Sequence, residues 1–246
     1  MTARVVTGAA GFIGSAVTRY LAQLPGTLLA LDTETPDSDS DTVRMDSAGP
    51  QFEDLLDQHM RGTQRAELIH TAAKHPPLAT IADTSPDTFA AHLNDLVTAY
   101  ATVRTFARAT ERHDIPASAV LLSTVGATRA HRYLPGYDAA RAGIESLARA
   151  FTLEYSHLSV RTVAVGPVAQ SASTAADGPL LPALLALVPR GAYADIGDIA
   201  AALAAFAAPC FDAAAGHILT LDGGLSVQLR PASAERPPAG TGGCSP

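Results

Sequence analysis

The chain has 246 residues, 47% of them hydrophobic, and a formal net charge of −7. That length supports one sizeable core and leaves little room for a second full domain. The acidic balance speaks against a nucleic-acid partner, which would call for Lys and Arg clustered on one face.

Two cysteines, Cys210 and Cys244, are too few for a disulfide framework or a thiolate zinc site. A reducing, cytoplasmic setting is expected. No basic segment followed by a long apolar run opens the chain, and no run reaches the roughly eighteen apolar residues of a spanning helix, so neither export nor a membrane partner is expected. Lys74 is the single lysine against sixteen arginines, a coding bias before it is chemistry.

Arg4-Val5-Val6-Thr7 reads as a short strand, and the run from Thr7 through Gly8, Ala9, Ala10, Gly11, Phe12, Ile13 and Gly14 turns the chain into a helix starting near Phe12. This is the pattern of a dinucleotide cradle. Gly8 makes the tight turn, Gly11 lets the backbone approach a pyrophosphate, and Gly14 lets the helix pack against the sheet, with Phe12 and Ile13 in the turn facing the phosphates. A second apolar run, 28–31, ends in Asp32, where a carboxylate can hold a ribose diol. That carboxylate would repel the 2′-phosphate of NADP(H). No Arg is expected in the glycine loop or beside Asp32 to offset it, so NAD(H) is favoured and NADP(H) remains open.

Further along come a strand around Val43-Arg44-Met45, a helix near 50–61, a buried strand over 66–70, and one long helix over 86–112 opened by Pro86. A strand over 119–122, a helix over 137–157, a strand over 160–165 closed by Gly166-Pro167, and a last strand over 217–221 complete the series. Such alternation predicts a doubly wound α/β Rossmann fold of about seven parallel strands with helices on both faces, filling residues 1–230. Ligands of such sheets sit at the carboxyl ends of the strands. Residues 168–192 are expected to form a flap over the site, with Pro179 to Val188 helical in part. Residues 231–246 have little apolar bulk and are expected to be disordered.

The strand ending at Ser123-Thr124 delivers a hydroxyl to the ligand edge. Tyr137 follows thirteen residues after Thr124, and Arg141 one helical turn later on the same face. At these residues the chain resembles the short-chain dehydrogenase/reductase family, whose compact members carry Ser, Tyr and Lys at this spacing. The segments from Tyr137 to Arg149, from Val160 to Val163 and from Leu221 to Gly224 also resemble that family's late motifs. The glycine loop and His70-Thr71-Ala72-Ala73 are more similar to its extended, sugar-nucleotide branch, for whose substrate domain this chain has no room.

The resemblance implies a role for each matching position. Asp32 would hold the adenosine ribose and Asp46 the adenine edge; Ala72 and Ala73 would line the cofactor, and Pro167-Val168 would meet its nicotinamide side. Thr124 would bind a substrate carbonyl, Tyr137 would donate or remove its proton, and Asn94 would support a proton-relay water. Three departures stand out: Thr124 for Ser, Val168 for Gly, and Arg141 for the lysine that binds the nicotinamide ribose and passes a proton onward. A cation about 4 Å from the phenol at an effective dielectric of ~20 favours its ionised form by about 4 kcal/mol. Arg141 is expected to supply that charge and cannot supply the proton.

The histidines show no metal-ligand spacing, so His70 and His75 are expected as lining residues. The leading expectation is an NAD(P)(H)-dependent ketoreductase acting on a small-molecule ketone or secondary alcohol. The apolar flap hints at a hydrophobic substrate, of a polyketide-like kind from specialised metabolism. Alternatives are a cofactor-binding protein without redox turnover and a sugar-nucleotide epimerase or dehydratase. The resemblance also implies a homodimer or homotetramer through the helices at 86–112 and 137–157.

Overall fold

A computed structural model describes residues 1–34, 42–74, 77–169, 181–230 and 234. The elements run in chain order as β1 (Thr2–Thr7), α1 (Phe12–Leu21), β2 (Thr27–Asp32), β3 (Thr42–Arg44), α2 (Gln51–His59), β4 (Arg65–His70), α3 (Pro86–His92), α4 (Asn94–Arg112), β5 (Ala117–Thr124), α5 (Pro135–Glu154), β6 (Leu158–Val165), α6 (Leu181–Leu185), α7 (Ile196–Ala207) and β7 (Ile218–Leu221). Short 3-10 turns at Val125–Ala127 and Pro209–Ala214 complete the set.

The seven strands form one parallel sheet in the order β3-β2-β1-β4-β5-β6-β7. Every residue of β5 and β6 is buried, because a parallel sheet covered on both faces needs apolar side chains on both. Successive residues therefore feed opposite cores. Val5, Leu29, Leu68 and Leu121 pack with Phe52, Phe106, Ile144 and Phe151 under α2, α4 and α5. Val6, Ala30, Ile69 and Val120 pack with Val17, Ile199, Leu203 and Phe206 under α1 and α7. The strand order reverses between β1 and β4, which places the crevice for a ligand at the carboxyl ends of those two strands.

The structure departs from the sequence reading in one element of the site. The expected helix over 86–112 is two helices, broken at Leu93, whose N–H bonds back to Ala90 O at 3.1 Å while Leu96 and Val97 bond to Leu93 O. The break lets α4 begin afresh with Asn94 and Asp95 in its first turn. Of the expected flap, residues 181–185 are helical and the segment 170–180 lies outside the described residues. The expected disorder of the tail also lies outside them, apart from Ala234, as does His75. No helix among the described residues is long and apolar enough to cross a membrane.

Candidate active site

The glycine loop is held against the strand that follows it in space. Gly8 has φ +78, and a Cβ there would come within 2.4 Å of Ala72 N. A Cβ on Gly14 would lie 1.9 Å from Gly8 O and 2.6 Å from Thr71 Oγ1, so α1 sits on the loop with no space for a methyl. Gly11 forms the N-cap of α1 and meets only Gly8 O at 3.2 Å, which leaves its outer face open. No side chain caps α1, and no acidic residue stands in its first turn. Its terminal N–H groups therefore remain available to an anion, as a pyrophosphate would require. Phe12 is exposed and Ile13 half-buried at that terminus.

Asp32 closes β2 with its carboxylate turned into the crevice. Oδ2 accepts from Ala10 N–H at 2.9 Å, and Oδ1 accepts from Glu34 N–H at 3.1 Å. The expectation that no arginine stands beside it is corrected by the sheet. Arg44 lies directly across from Asp32 in the β2·β3 register and donates Nε–H to Thr33 O at 3.1 Å. Asp46 follows on the same rim, exposed, accepting from Ala48 N–H at 2.9 Å. Ala72 and Ala73 leave the end of β4 beside Gly8. Pro167 and Val168 leave the end of β6, where Val168 bridges to Ala194. The residues assigned to a dinucleotide thus gather along one edge of the sheet, and the cradle fits that group.

Thr124 ends β5, buried, with its Oγ1 accepting from Gly126 N–H at 3.3 Å. Ser123 faces the other way and donates to Glu145 Oε1 at 2.8 Å. Tyr137 stands in the first turn of α5, which packs on β5, with the Arg141 guanidinium carbon 4.9 Å from its ring centroid. Arg141 is buried to 1% side-chain exposure. Its Nη2 donates to Asp95 Oδ2 at 2.6 Å and its Nη1 to Leu122 O at 3.3 Å, while Nε has no partner. Asp95 Oδ2 also accepts from Lys74 N–H at 3.0 Å, which ties the segment after β4 to the same pair.

Arg141 acts on the phenol in the expected direction, by its charge and by a side-chain hydrogen bond, and burial outweighs it. Burial pushes the ionisation of Tyr137 above its ordinary range, and the Asp138 and Asp95 carboxylates add to that push against the opposing charge of Arg141. The relay-supporting position also differs. Asn94 is exposed, and no hydrogen bond to its side chain forms among the described residues; the adjacent Asp95 reaches the site instead.

His70 is fully buried beneath the glycine loop, with Nδ1 2.7 Å from Thr7 Oγ1. Burial first, and then the charge of Arg141, push it down to about 3, so it is neutral. A third feature escaped the sequence reading altogether. Asp138 accepts from His131 N–H at 2.6 Å and from His131 Nδ1 at 2.9 Å, and this pair closes over Gly126. Among the described residues no group of three or more His, Cys, Asp or Glu side chains is arranged to hold a metal.

A doubly wound parallel sheet with a glycine cradle at its switch point, a Thr at the end of β5 and a Tyr in the first turn of α5 together define the class of the dinucleotide-binding α/β proteins. The chain belongs to the short-chain dehydrogenase/reductase family of NAD(P)-dependent oxidoreductases: residues 13–226 match the family model described as enoyl-(acyl carrier protein) reductase. That match begins after Gly8 and Gly11. No curated protein sequence matches the chain.

Solved structures repeat the fold. A 4-hydroxyisoleucine dehydrogenase complexed with NADH superposes with a TM-score of 0.81 at 16% identity, covering 92% of this chain and 99% of its own. A short-chain oxidoreductase from Burkholderia thailandensis gives 0.78 at 24%, covering 92% and 93%. A putative NAD(P)-dependent gluconate 5-dehydrogenase from Beutenbergia cavernae, with NADP bound at low occupancy, gives 0.78 at 22%, covering 92% and 97%.

Proposed function

We propose that the chain is a ketoreductase that interconverts a ketone and a secondary alcohol on a hydrophobic small molecule, with NAD(H) as the favoured cofactor. The observation that carries this reading is the placement of Tyr137 in the first turn of α5, which packs on the strand ending at Thr124. A buried phenol is protonated at neutral pH, so Tyr137 can donate a proton to a carbonyl oxygen. Thr124 offers the hydroxyl that fixes that carbonyl.

A bound nicotinamide supplies hydride chemistry. Around it, the α1 N-terminus and Gly11 would hold the pyrophosphate and Asp32 the ribose hydroxyls. Arg44, placed across from Asp32, gives a 2′-phosphate a cationic neighbour, so NADPH is admitted with weaker affinity than NADH. Exposed apolar side chains on the site's rim support the substrate class. Leu78 is 67% exposed, Ile81 80%, Val227 82% and Leu229 87%. Ala79 N–H bonds to Tyr133 O, and Arg129 reaches Gln228 O, which join these segments around the mouth. A polyketide-type ketone fits such a rim.

The same reading takes the half-open apolar groove of Leu96, Val97, Tyr100 and Leu147 between α4 and α5 as the contact between two copies of a homo-oligomer. Sedimentation of Val97→Arg as a monomer, against a dimeric or tetrameric parent, would bear this out.

The test is NADH and NADPH oxidation at 340 nm against aromatic and polyketide ketones. Tyr137→Phe is expected to lose about 10²- to 10⁴-fold in kcat while still binding NADH, and unchanged turnover in that variant refutes the role. The commitment of both Arg141 Nη groups to protein acceptors favours a second reading, a cofactor-binding protein without turnover. NADH binding with no oxidation by any ketone would select it.

A further inference from the structure

The glycine loop walls one side of the crevice. The other side lies beyond the carboxyl ends of β5, β6 and β7, and three segments meet there. The loop leaving β5 brings Arg129, whose backbone N–H bonds Val125 O at 2.9 Å. The segment leaving α6 returns to the end of β6, where Val168 bridges to Ala194 and Ala169 N–H bonds Ala194 O at 2.9 Å. The segment leaving β7 begins at Asp222 and runs on through Gln228.

The third segment ties the other two together. Asp222 is buried and folds it into a turn, accepting from Gly224 N–H at 2.9 Å and from Ser226 N–H at 2.7 Å. The turn is closely seated. A Cβ on Gly166 would lie 2.6 Å from Asp222 Cβ, and one on Gly223, at φ +64, would lie 2.6 Å from Val188 Cγ1. Arg190 N–H bonds Gly223 O at 3.0 Å, and Gln228 Nε2 donates to Leu187 O. From the opposite side, Arg129 Nη1 donates to Gln228 O at 3.3 Å. Its charge also faces Asp222. Burial works to raise that carboxyl, but the hydrogen bonds from Ser226 and Gly224 and the charge of Arg129 outweigh it and hold the carboxyl below its ordinary range. Gln228 is therefore held by its backbone to the loop before α5 and by its side chain to the segment after α6.

These attachments matter because residues 186–193 have little packing of their own. Val188 is the one buried side chain among them, so hydrogen bonds more than apolar burial keep the segment in place. We propose that Arg129 is a positioning residue for the substrate: acting through Gln228, it straps the segment after α6 to the loop that leads into α5. The strap fixes the wall against which a hydrophobic ketone lies when its carbonyl meets Thr124 and Tyr137. The proposal rests on the ketoreductase reading. Loosening the strap leaves both hydroxyls in place on β5 and α5, so the loss falls on substrate affinity and not on the chemical step.

Hydrogen exchange reads the strap without turnover. In the structure the amides of Val188, Arg190 and Gly191 bond to Leu185 O, Gly223 O and Val188 O. In the cofactor-free protein they are expected to exchange about 3- to 10-fold faster in Arg129→Ala and in Gln228→Ala than in the parent, the order of one lost hydrogen bond, with the amides of β5 and β6 unchanged. Arg129→Lys keeps a charge and a donor and is expected to recover part of the protection. Parent-like exchange in both alanine variants overturns the strap. With NADH and a ketone that the parent reduces, both alanine variants are expected to raise KM about 3- to 10-fold while kcat stays within about 2-fold. A parent-like KM, or a loss confined to kcat, overturns the role toward substrate and leaves the ketoreductase reading in place. A parent that reduces no ketone refutes that reading and the substrate role with it, while the exchange result still decides the strap.

Discussion

Replacing Asp95 by Asn tests the assignment of Arg141 as a buried, paired charge. At the observed 2.6 Å contact, two unit charges attract by about 6 kcal/mol at an effective dielectric of ~20, and most of that offsets the cost of taking both groups out of water. The net worth of the pair is therefore small. Removing one partner is a different matter, because the guanidinium stays 1% exposed with Leu122 O and the Tyr137 hydroxyl, but no carboxylate, to accept from it. Breaking a buried pair in this way costs roughly 3–5 kcal/mol, and the low end applies because Asp95 keeps 16% exposure.

For a chain of this size, about 3 kcal/mol corresponds to a fall in Tm of roughly 6–12 °C, read by circular dichroism. Adding Arg141→Met to Asp95→Asn is expected to recover most of the loss, since two neutral groups leave no orphaned charge. The same substitution removes a carboxylate facing Tyr137, so the phenol ionises at lower pH than in the parent. An Asp95→Asn melt within about 2 °C of the parent, or no recovery in the double variant, refutes the argument.

Two further outcomes follow from the site. Gly14→Ala sets a methyl 1.9 Å from Gly8 O, so a loss of at least about 1–3 kcal/mol is expected, together with NADH binding; a parent-like melt and fluorescence titration would show that the loop yields. His70 is pushed down to about 3 in the folded chain, whereas an unfolded histidine binds its proton near pH 6.5, so the unfolded state takes up more protons between those values. Stability from this group is present above about pH 6.5 and lost as the pH falls toward about 3, at up to ~1.4 kcal/mol per pH unit. Urea midpoints at pH 7 and pH 5 are expected to fall further for the parent than for His70→Gln, and equal slopes would show that His70 takes up no proton on unfolding.

What the sequence made legible was local or periodic. The glycine loop, Asp32 and the Tyr137–Arg141 turn each declare themselves within a few residues, and the apolar runs placed all seven strands to within a few residues. The break at Leu93 was hidden because apolar spacing continues through it, and only the restart of hydrogen bonding at Leu93 O exposes it. Partners brought together by the sheet were hidden for a different reason. Arg44 reaches Asp32 through the β2·β3 register, and Asp95 reaches Arg141 from 46 residues away. One signal was available for the latter: a cation that cannot be neutralised, placed in a buried position, needs a carboxylate, and the first turn of α4 held one.

The attachment of Lys74 to Asp95 has a use in chemical labelling. Its backbone N–H bonds the carboxylate that holds Arg141, its side chain lies in the exposed segment after β4, and it is the single lysine of the chain. Amine-directed reagents, which scatter over the surface of most proteins, have one ε-amino target here. A fluorophore carried on it would sit at the lip of the crevice, one hydrogen bond away from the pair beside Tyr137. An ordinary succinimidyl dye would in this way become a reporter of cofactor and substrate arrival, with no cysteine engineering.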